Sequence, residues 1–260
     1  MEVNVSCNKV LVEDFDSVRV VTINRAQQRN CVDKDVAEHL IEAFESFDQD
    51  DSLKVSILTG AGGNFCSGAD LKAISEGRGN KVTVEGYGPL GVSRIRLKKP
   101  TIAAVEGYAV AGGLELALWC DLRVASESAI FGVFCRRFGV PLVDLGTIRL
   151  PRLIGQSRAM DMILTGREVK ASEAYEFGLA NRVCSNGQAL ETAVELAHEL
   201  SNFPQKCMYS DRLSAIEQWD LSEKDAILNE IKRGLEVIMS GETLSGATEF
   251  SKGKGKHGTF

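Results

Sequence analysis

Apolar and polar positions alternate at the start of the chain. The segments "KVLVE" (9–13) and "VRVVTIN" (18–24), joined by "DFDS", predict an antiparallel hairpin. The next segment, 33–50, changes to a helical period, with Asp33 as a candidate N-cap. Its apolar positions fall on one predicted helix face: Val36, Leu40, Ile41, Phe44 and Phe47.

Two continuous apolar runs, "VSILT" (55–59) and "TIAAVEG" (101–107), predict buried strands. Each is followed by very small residues and a helix: "NFCSGADL" (64–71) in the first unit, and "YAVAGG" (108–113) before "LELALWC" in the second. Short strands are expected at 121–126 and 129–132, and mainly helices from about residue 157. This alternation predicts an α/β fold with a mostly parallel sheet.

The helical periods predict two parts, a core over residues 1–200 and a helical extension over 201–260. The segment 222–240 repeats apolar residues at helical spacing, so it needs a surface to cover them. The members of this repeat are Ala226, Ile227, Ile231, Leu235 and Ile238.

Composition narrows the classes of function. The 260 residues are 44% hydrophobic with a net charge of −6, as in an ordinary globular protein with a sizeable core. A nucleic-acid partner is not expected, because an acidic chain would need a strong local basic stripe. The basic run "RIRLKK" (94–99) is interpreted as the solvated end of a helix.

Cysteine usage and the N-terminus bear on the compartment. The seven cysteines are scattered and form no CxxC pair, and "MEVNVSCNKV" has no apolar signal-peptide core. We therefore expect reduced thiols in the cytoplasm or an organelle matrix, and no membrane span. His39, His198 and His257 lie away from every motif, so neither a metal site nor a histidine-activated nucleophile is expected.

The glycine-rich turns call for a ligand other than a nucleotide phosphate. A P-loop would need Lys and Ser or Thr after Gly68, where Ala69 and the anionic Asp70 stand. Small residues at a helix entrance also let a ligand atom approach the backbone amides closely. Two such turns, one at Ala69 and one at Gly112, could bind one oxygen that becomes negative, as in an enolate. The alternative is that both turns simply pack closely on the sheet.

The motif "FCSGADL" followed by "GYAVAGGLELALWCDLRVAS" resembles the crotonase superfamily, also called enoyl-CoA hydratase/isomerase. The similarity continues through "NRAQQRNCV" (24–32), the segment 131–155 and "ILTGREVKASEAYEFGLANRV" (163–183). It implies a spiral of ββα units, a helical C-terminal trimerisation region and acyl-CoA thioesters as substrates. A homotrimer or a dimer of trimers would follow, and coenzyme A would be part of the substrate rather than a separate cofactor.

The same resemblance implies roles for individual residues. Ala69 and Gly112 align with the two oxyanion-hole donors, and Glu115 with the first catalytic glutamate of the hydratases. Asp70 and Asp121 are interpreted as structural aspartates, Asp70 as the N-cap of the helix that starts at Leu71. The turn and the segment before the first helix are expected to bind coenzyme A, through Arg25, Arg29, Asn30, Gly68, Ala69, Asp70 and Leu71.

One position departs from the hydratase pattern. Cys135 stands where hydratases carry a second glutamate, which moves the α-carbon proton. Asp144, nine residues later, is a candidate replacement, or else a turn residue paired with Arg136, Arg137 or Arg149. Hydratase-type chemistry on an enolate is the main hypothesis. Isomerisation, decarboxylation, thioester hydrolysis and non-catalytic acyl-CoA binding remain alternatives.

Overall fold

The computed structural model describes residues 9–255 as nine strands and ten α-helices. The strands are β1 (Val10–Phe15), β2 (Val18–Ile23), β3 (Val55–Gly60), β4 (Thr101–Val105), β5 (Tyr108–Val110), β6 (Leu122–Ser126), β7 (Ile130–Gly132), β8 (Val169–Lys170) and β9 (Arg182–Cys184). The helices are α1 (Lys34–Gln49), α2 (Leu71–Ser75), α3 (Gly112–Trp119), α4 (Gly146–Ile154), α5 (Gln156–Thr165), α6 (Ala171–Glu176), α7 (Ala189–Ser201), α8 (Gln205–Glu217), α9 (Glu223–Met239) and α10 (Glu242–Ser251).

The main sheet has six strands in the order β1-β2-β3-β4-β6-β9. Only β1 and β2 pair antiparallel, with Phe15 opposite Val18, so the predicted hairpin is confirmed with a tighter turn than "DFDS". The other neighbours are parallel, as predicted. A second sheet, β5-β7-β8, lies beyond the carboxyl end of β4.

Both faces of the main sheet are covered, which explains the continuous apolar strands. Alternate residues face two different clusters: Ile102 and Ala104 of β4 pack with α7, while Ala103 and Val105 join the larger core that contains α1. Helix α1 begins after Asp33, whose carboxylate accepts a hydrogen bond from the Val36 amide, as predicted.

The last three helices form an extension that follows α7. Helix α8 contacts the core through Tyr209, whose hydroxyl donates to the Lys54 carbonyl, and through Arg212, which donates to the Leu97 carbonyl. The apolar residues of α9 are largely exposed, with Ile231 at 53% and Leu235 at 49%. The division at residue 200 falls at the end of α7 and stays a prediction. In residues 9–255, no helix is long and apolar enough to cross a bilayer.

Several local predictions were wrong. The "YAV" of the second turn forms strand β5. The helices expected from about residue 157 are present as α5 to α10, but the short strands β8 and β9 between them were not predicted. Helix α4 was not predicted; it contains Gly146 and Pro151, which disfavour helices. The run 94–99 begins at the end of a short 3-10 helix, Val92–Arg94, and Arg96 and Lys98 are exposed, but Lys99 is not solvated: it is 5% exposed and donates to the Phe47 and Asp50 carbonyls. His257 lies outside the described residues.

Candidate active site

The two small-residue turns pack directly on each other. Cys66, after β3, donates to the Tyr108 carbonyl and accepts from the Val110 amide at 2.9 and 3.1 Å. A β-carbon on Gly68 would lie 2.7 Å from the Gly112 amide nitrogen. One on Gly112 would lie 3.5 Å from the Ala69 amide nitrogen. The close packing therefore explains the glycines, and it also places the amides of Ala69 and Gly112 side by side.

These two amides are free to bind a ligand. Within residues 9–255 neither donates a hydrogen bond to a protein group, although their neighbours Gly68 and Asp70 are both bonded to Val32. Gly112 begins α3, so its amide is one of the unpaired donors of a helix N-terminus. The preceding Ala111 holds this turn at φ 54°, a conformation uncommon for a residue with a side chain.

Glu115 lies one turn into α3 and is 2% exposed. Its Oε1 accepts hydrogen bonds from the amides of Asp144 and Gly146 at 2.9 and 2.7 Å. The pKa of the Glu115 carboxyl is raised to about 7, chiefly by burial and also by the charge of Asp144, although the two amide hydrogen bonds lower it. The carboxyl can therefore take up or release a proton near neutral pH.

Asp144 is equally buried, at 2% exposure, just before α4. Its Oδ1 accepts from the Leu90 amide at 3.0 Å and from the Ser93 hydroxyl. Burial raises the pKa of this carboxyl above its usual value. No ion pair joins the carboxylate to Arg136, Arg137 or Arg149 in the described chain, so the predicted pairing was wrong, although Asp144 does lie in the bend before α4. Arg149 instead approaches the Asp144 main-chain carbonyl, at 3.5 Å.

Both carboxyls open onto one cavity of about 420 Å³, which Ala69 and Gly112 also line. Cys135 lies on its wall, and burial, with Glu115 nearby, raises the pKa of its thiol, so the thiol stays protonated at neutral pH. Most other wall residues are apolar, among them Leu71, Ile74, Leu90, Phe134, Phe138, Val140 and Val143. The two amides can bind a polarised carbonyl oxygen, the apolar walls can contact an apolar chain, and the carboxyls can transfer a proton.

Known proteins share this arrangement of sequence and fold. The family model described as enoyl-CoA hydratase/isomerase matches residues 13–227. The chain belongs to this family.

Relatives within the enoyl-CoA hydratase/isomerase family are similar along most of the chain. Enoyl-CoA hydratase EchA19 of Mycobacterium tuberculosis is 36% identical over 93% of both chains. A short-chain-enoyl-CoA hydratase of Clostridium acetobutylicum is 38% identical over 76% of this chain and 77% of its own. A solved enoyl-CoA hydratase of M. tuberculosis superposes with a TM-score of 0.89 at 38% identity, covering 94% of this chain and 96% of that one. The predicted crotonase fold is thus confirmed.

The residues predicted to bind coenzyme A fall into two groups. Arg25 pairs with Asp70 at 2.9 Å and lies 3.5 Å from Asp33, and Asp70 also caps α2 by accepting from the Ala73 amide. Asn30 is fully buried and donates to the carbonyls of Ala61 and Asn64. The side chains of Arg25, Asn30 and Asp70 are therefore engaged within the protein.

The second group remains available to a ligand. Arg29 is exposed beside the first turn, where its carbonyl accepts from the Ser67 amide and its guanidinium lies 5.2 Å from the Tyr108 ring. Ala69 and Leu71 line the cavity. Gly68 serves the turn itself, at φ +93°. Asp121 is a structural aspartate as predicted, accepting from the Thr101 amide at 2.8 Å.

Sequence reasoning missed the residues that support Asp144. Leu90 and Ser93 belong to the segment between α2 and β4, and only the tertiary fold brings them more than 50 residues back to Asp144. Gly88 lies beside them, and a β-carbon there would be 2.6 Å from Asp144 Oδ1. The one local signal was the glycine-rich spacing of "GYGPLG" (86–91), which is typical of close backbone approach.

Proposed function

We propose that the protein adds water across the double bond of 2-enoyl-CoA thioesters. The observation that carries the proposal is the pair of buried carboxyls, Glu115 and Asp144, in one cavity with two unpaired backbone amides. The hydratase names of its relatives support the same reaction.

In the proposed reaction the thioester oxygen lies between the amides of Ala69 and Gly112. Water adds to the β-carbon, and the electron pair of the double bond moves onto that oxygen to give an enolate. Two fixed hydrogen-bond donors at such an oxygen typically stabilise the transition state by several kcal/mol. The enolate then collapses as the α-carbon takes a proton, and the sum of the steps is the addition of one water.

The two carboxyls supply the proton transfers. Because two buried carboxyls face one cavity and the pKa values of both are raised, we infer that the pair holds one proton. The ionised member takes a proton from the attacking water, and the protonated member gives one to the α-carbon. The water proton thus remains on the pair, and its transfer from one carboxyl to the other restores the starting state.

The thioester's coenzyme A part is proposed to lie beside the first turn, with Arg29 as its phosphate partner. An anionic ligand meeting an acidic protein needs a local cation, and Arg29 is exposed and has no carboxylate partner in the described chain. Coenzyme A enters as part of the substrate, and the proposed steps use no separate cofactor.

Product analysis tests the reaction type. We expect crotonyl-CoA and longer 2-enoyl-CoA thioesters to give products heavier by one water, as detected by mass spectrometry. A shifted double bond at unchanged mass would identify an isomerase instead. Loss of carbon dioxide from carboxylated acyl-CoA or release of free coenzyme A would identify the decarboxylase or hydrolase, and in each case the hydratase proposal would be wrong.

A further inference from the structure

A second cavity, of about 430 Å³, lies between the core and helix α8 and shares no lining residue with the active-site cavity. Six arginines line it: Arg94, Arg96, Arg123, Arg149, Arg152 and Arg212. We call it the arginine cavity. Asp121 is the one carboxylate among its described lining residues. In a chain with a net charge of −6, this concentration of cations is unusual.

Much of this positive charge has no carboxylate partner. Arg212 pairs with Asp121, and Arg96 pairs at the rim with Asp220. Arg149 and Arg152 form no ion pair in the described part of the chain. Arg149 is mostly enclosed and donates to the Ser93 carbonyl at 2.7 Å. Burial lowers the pKa of its guanidinium to about 10, although the nearby charges of Glu115 and Asp144 act in the opposite direction.

The walls between the arginines are apolar and aromatic. They include Leu118, Ile148, Leu153, Ile216, Trp119 and Trp219. The Arg152 guanidinium lies over the Trp219 ring, 4.7 Å from its centroid, and both residues line the cavity. Cationic groups within an apolar enclosure of this size suit a small organic molecule with an anionic head.

We propose that the arginine cavity binds an organic anion, a carboxylate with an apolar body, at a site separate from the thioester site. The head would bind the guanidinium groups of Arg149 and Arg152, and the apolar body would lie against Leu118 and Ile216. This inference does not depend on the reaction proposed for the other cavity.

The chain carries its own reporter for this site, because both of its tryptophans, Trp119 and Trp219, line the arginine cavity. Neither lines the active-site cavity. Titration with octanoate should therefore change tryptophan fluorescence to saturation, even if some octanoate also enters the active site. Octan-1-ol, the matched uncharged chain, should give no saturable change, and inorganic phosphate should bind more weakly than octanoate.

Charge variants test the role of the arginines. Their affinity is measured by calorimetry, because Arg152 contacts Trp219 and its substitution would itself change the fluorescence. Arg152→Gln should weaken octanoate binding by about tenfold, in line with loss of one hydrogen bond to a charged group. Asp121→Asn keeps an acceptor for the Thr101 amide but removes the negative charge, so it should tighten binding. Arg158→Gln, which alters an exposed arginine stacked on Phe177, is the matched control and should change nothing.

Three results would overturn the proposal. One is equal binding of octanoate and octan-1-ol, and another is unchanged affinity in both Arg152→Gln and Asp121→Asn. The third is binding of octanoate only after dilution to monomers, which would show that a second copy of the chain fills the cavity with its own side chains.

Discussion

At the scale of single residues, the site depends on two carboxyls that the backbone holds in place. Glu115 is fixed by the amides of Asp144 and Gly146, and Asp144 by the amide of Leu90 and the hydroxyl of Ser93. Each carboxyl is thus oriented by the chain while it is kept away from bulk water. This arrangement favours proton transfer within the cavity.

Replacing either carboxyl should remove the proton transfer without removing binding. Glu115→Gln and Asp144→Asn should each lower kcat by about 10²–10⁴-fold, the usual contribution of a general acid or base. The affinity for an unreactive acyl-CoA should change little, because the proposed oxygen ligands are backbone amides. Steady-state kinetics and calorimetry measure the two quantities.

Cys135→Ser is the matched control for these substitutions, since Cys135 lines the same cavity. Its thiol is protonated at neutral pH, and we expect turnover to remain within a few-fold of the parent. If Cys135→Ser abolished turnover and Asp144→Asn were harmless, the second functional group would be Cys135.

The raised pKa of Glu115 also predicts a pH-dependent stability. Its folded pKa of about 7 exceeds its unfolded value of 4.5, so the folded state binds the extra proton. The stabilisation from this group is complete below about pH 4.5 and is lost as the pH rises through 7. Glu115→Gln should therefore be more stable than the parent at pH 8, by about 3 kcal/mol, and no more stable at pH 4.5. Urea unfolding at both pH values tests this, and a constant difference would contradict it.

How far the sequence predicts the site differs between these residues. Ala69 and Gly112 are predicted from the small-residue turns, and Glu115 from the resemblance to the family, because a turn and the helix after it are continuous in the chain. Their catalytic roles stay predictions. The partners of Asp144 could not be predicted, because Leu90 and Ser93 reach it only through tertiary packing of a segment made of loops and one short 3-10 helix, Val92–Arg94. For Arg25 and Asn30, the sequence shows polar groups but does not show that the protein itself binds them.

At the scale of elements, α3 and α4 meet so closely that a glycine is required between them. A β-carbon on Gly146 would lie 2.8 Å from both Cγ and Oε1 of Glu115. The first residue of α4 therefore sets the position of a carboxyl on α3. Periodicity had failed to predict α4, in part because this same glycine is a poor helix former.

Gly146→Ala should displace the Glu115 carboxyl, because the added β-carbon would lie too close to it. Since the rate depends on the alignment of the reacting groups, kcat should fall by at least about tenfold. Gly246→Ala is the control, since Gly246 is also helical and a β-carbon there has no atom within 4 Å. It should leave kcat unchanged and stabilise α10 by about 0.5–1 kcal/mol. Equal kcat values in the two variants would show that the contact between α3 and α4 does not position the carboxyl.

At the scale of the whole molecule, the unpaired surface of α9 favours assembly. The sequence predicted that its apolar face must be covered, and within the single chain Ile227, Ile231, Leu235 and Ile238 remain about half exposed. We propose that a homotrimer, or a dimer of trimers, covers this face. A patch of this kind is typical of protein–protein contacts.

Light scattering should therefore give three or six times the 28.2 kDa mass of one chain. Ile231→Glu places a charge on the apolar face and should shift the distribution toward monomers. Lys232→Glu, the adjacent residue and also exposed, is the control and should leave the mass unchanged. A parent protein that stays monomeric at micromolar concentration would refute the proposed assembly.

The pair of main-chain donors at Ala69 and Gly112 has an evolutionary consequence. Every amino acid except proline carries the same amide, so ordinary side-chain substitution does not delete the groups proposed to stabilise the enolate. Mutation can then alter the acidic groups around the cavity while that stabilisation persists. In this chain position 135 carries a thiol and position 144 a carboxylate. Selection on such a scaffold can change which proton is transferred while the protein keeps its ability to form the enolate.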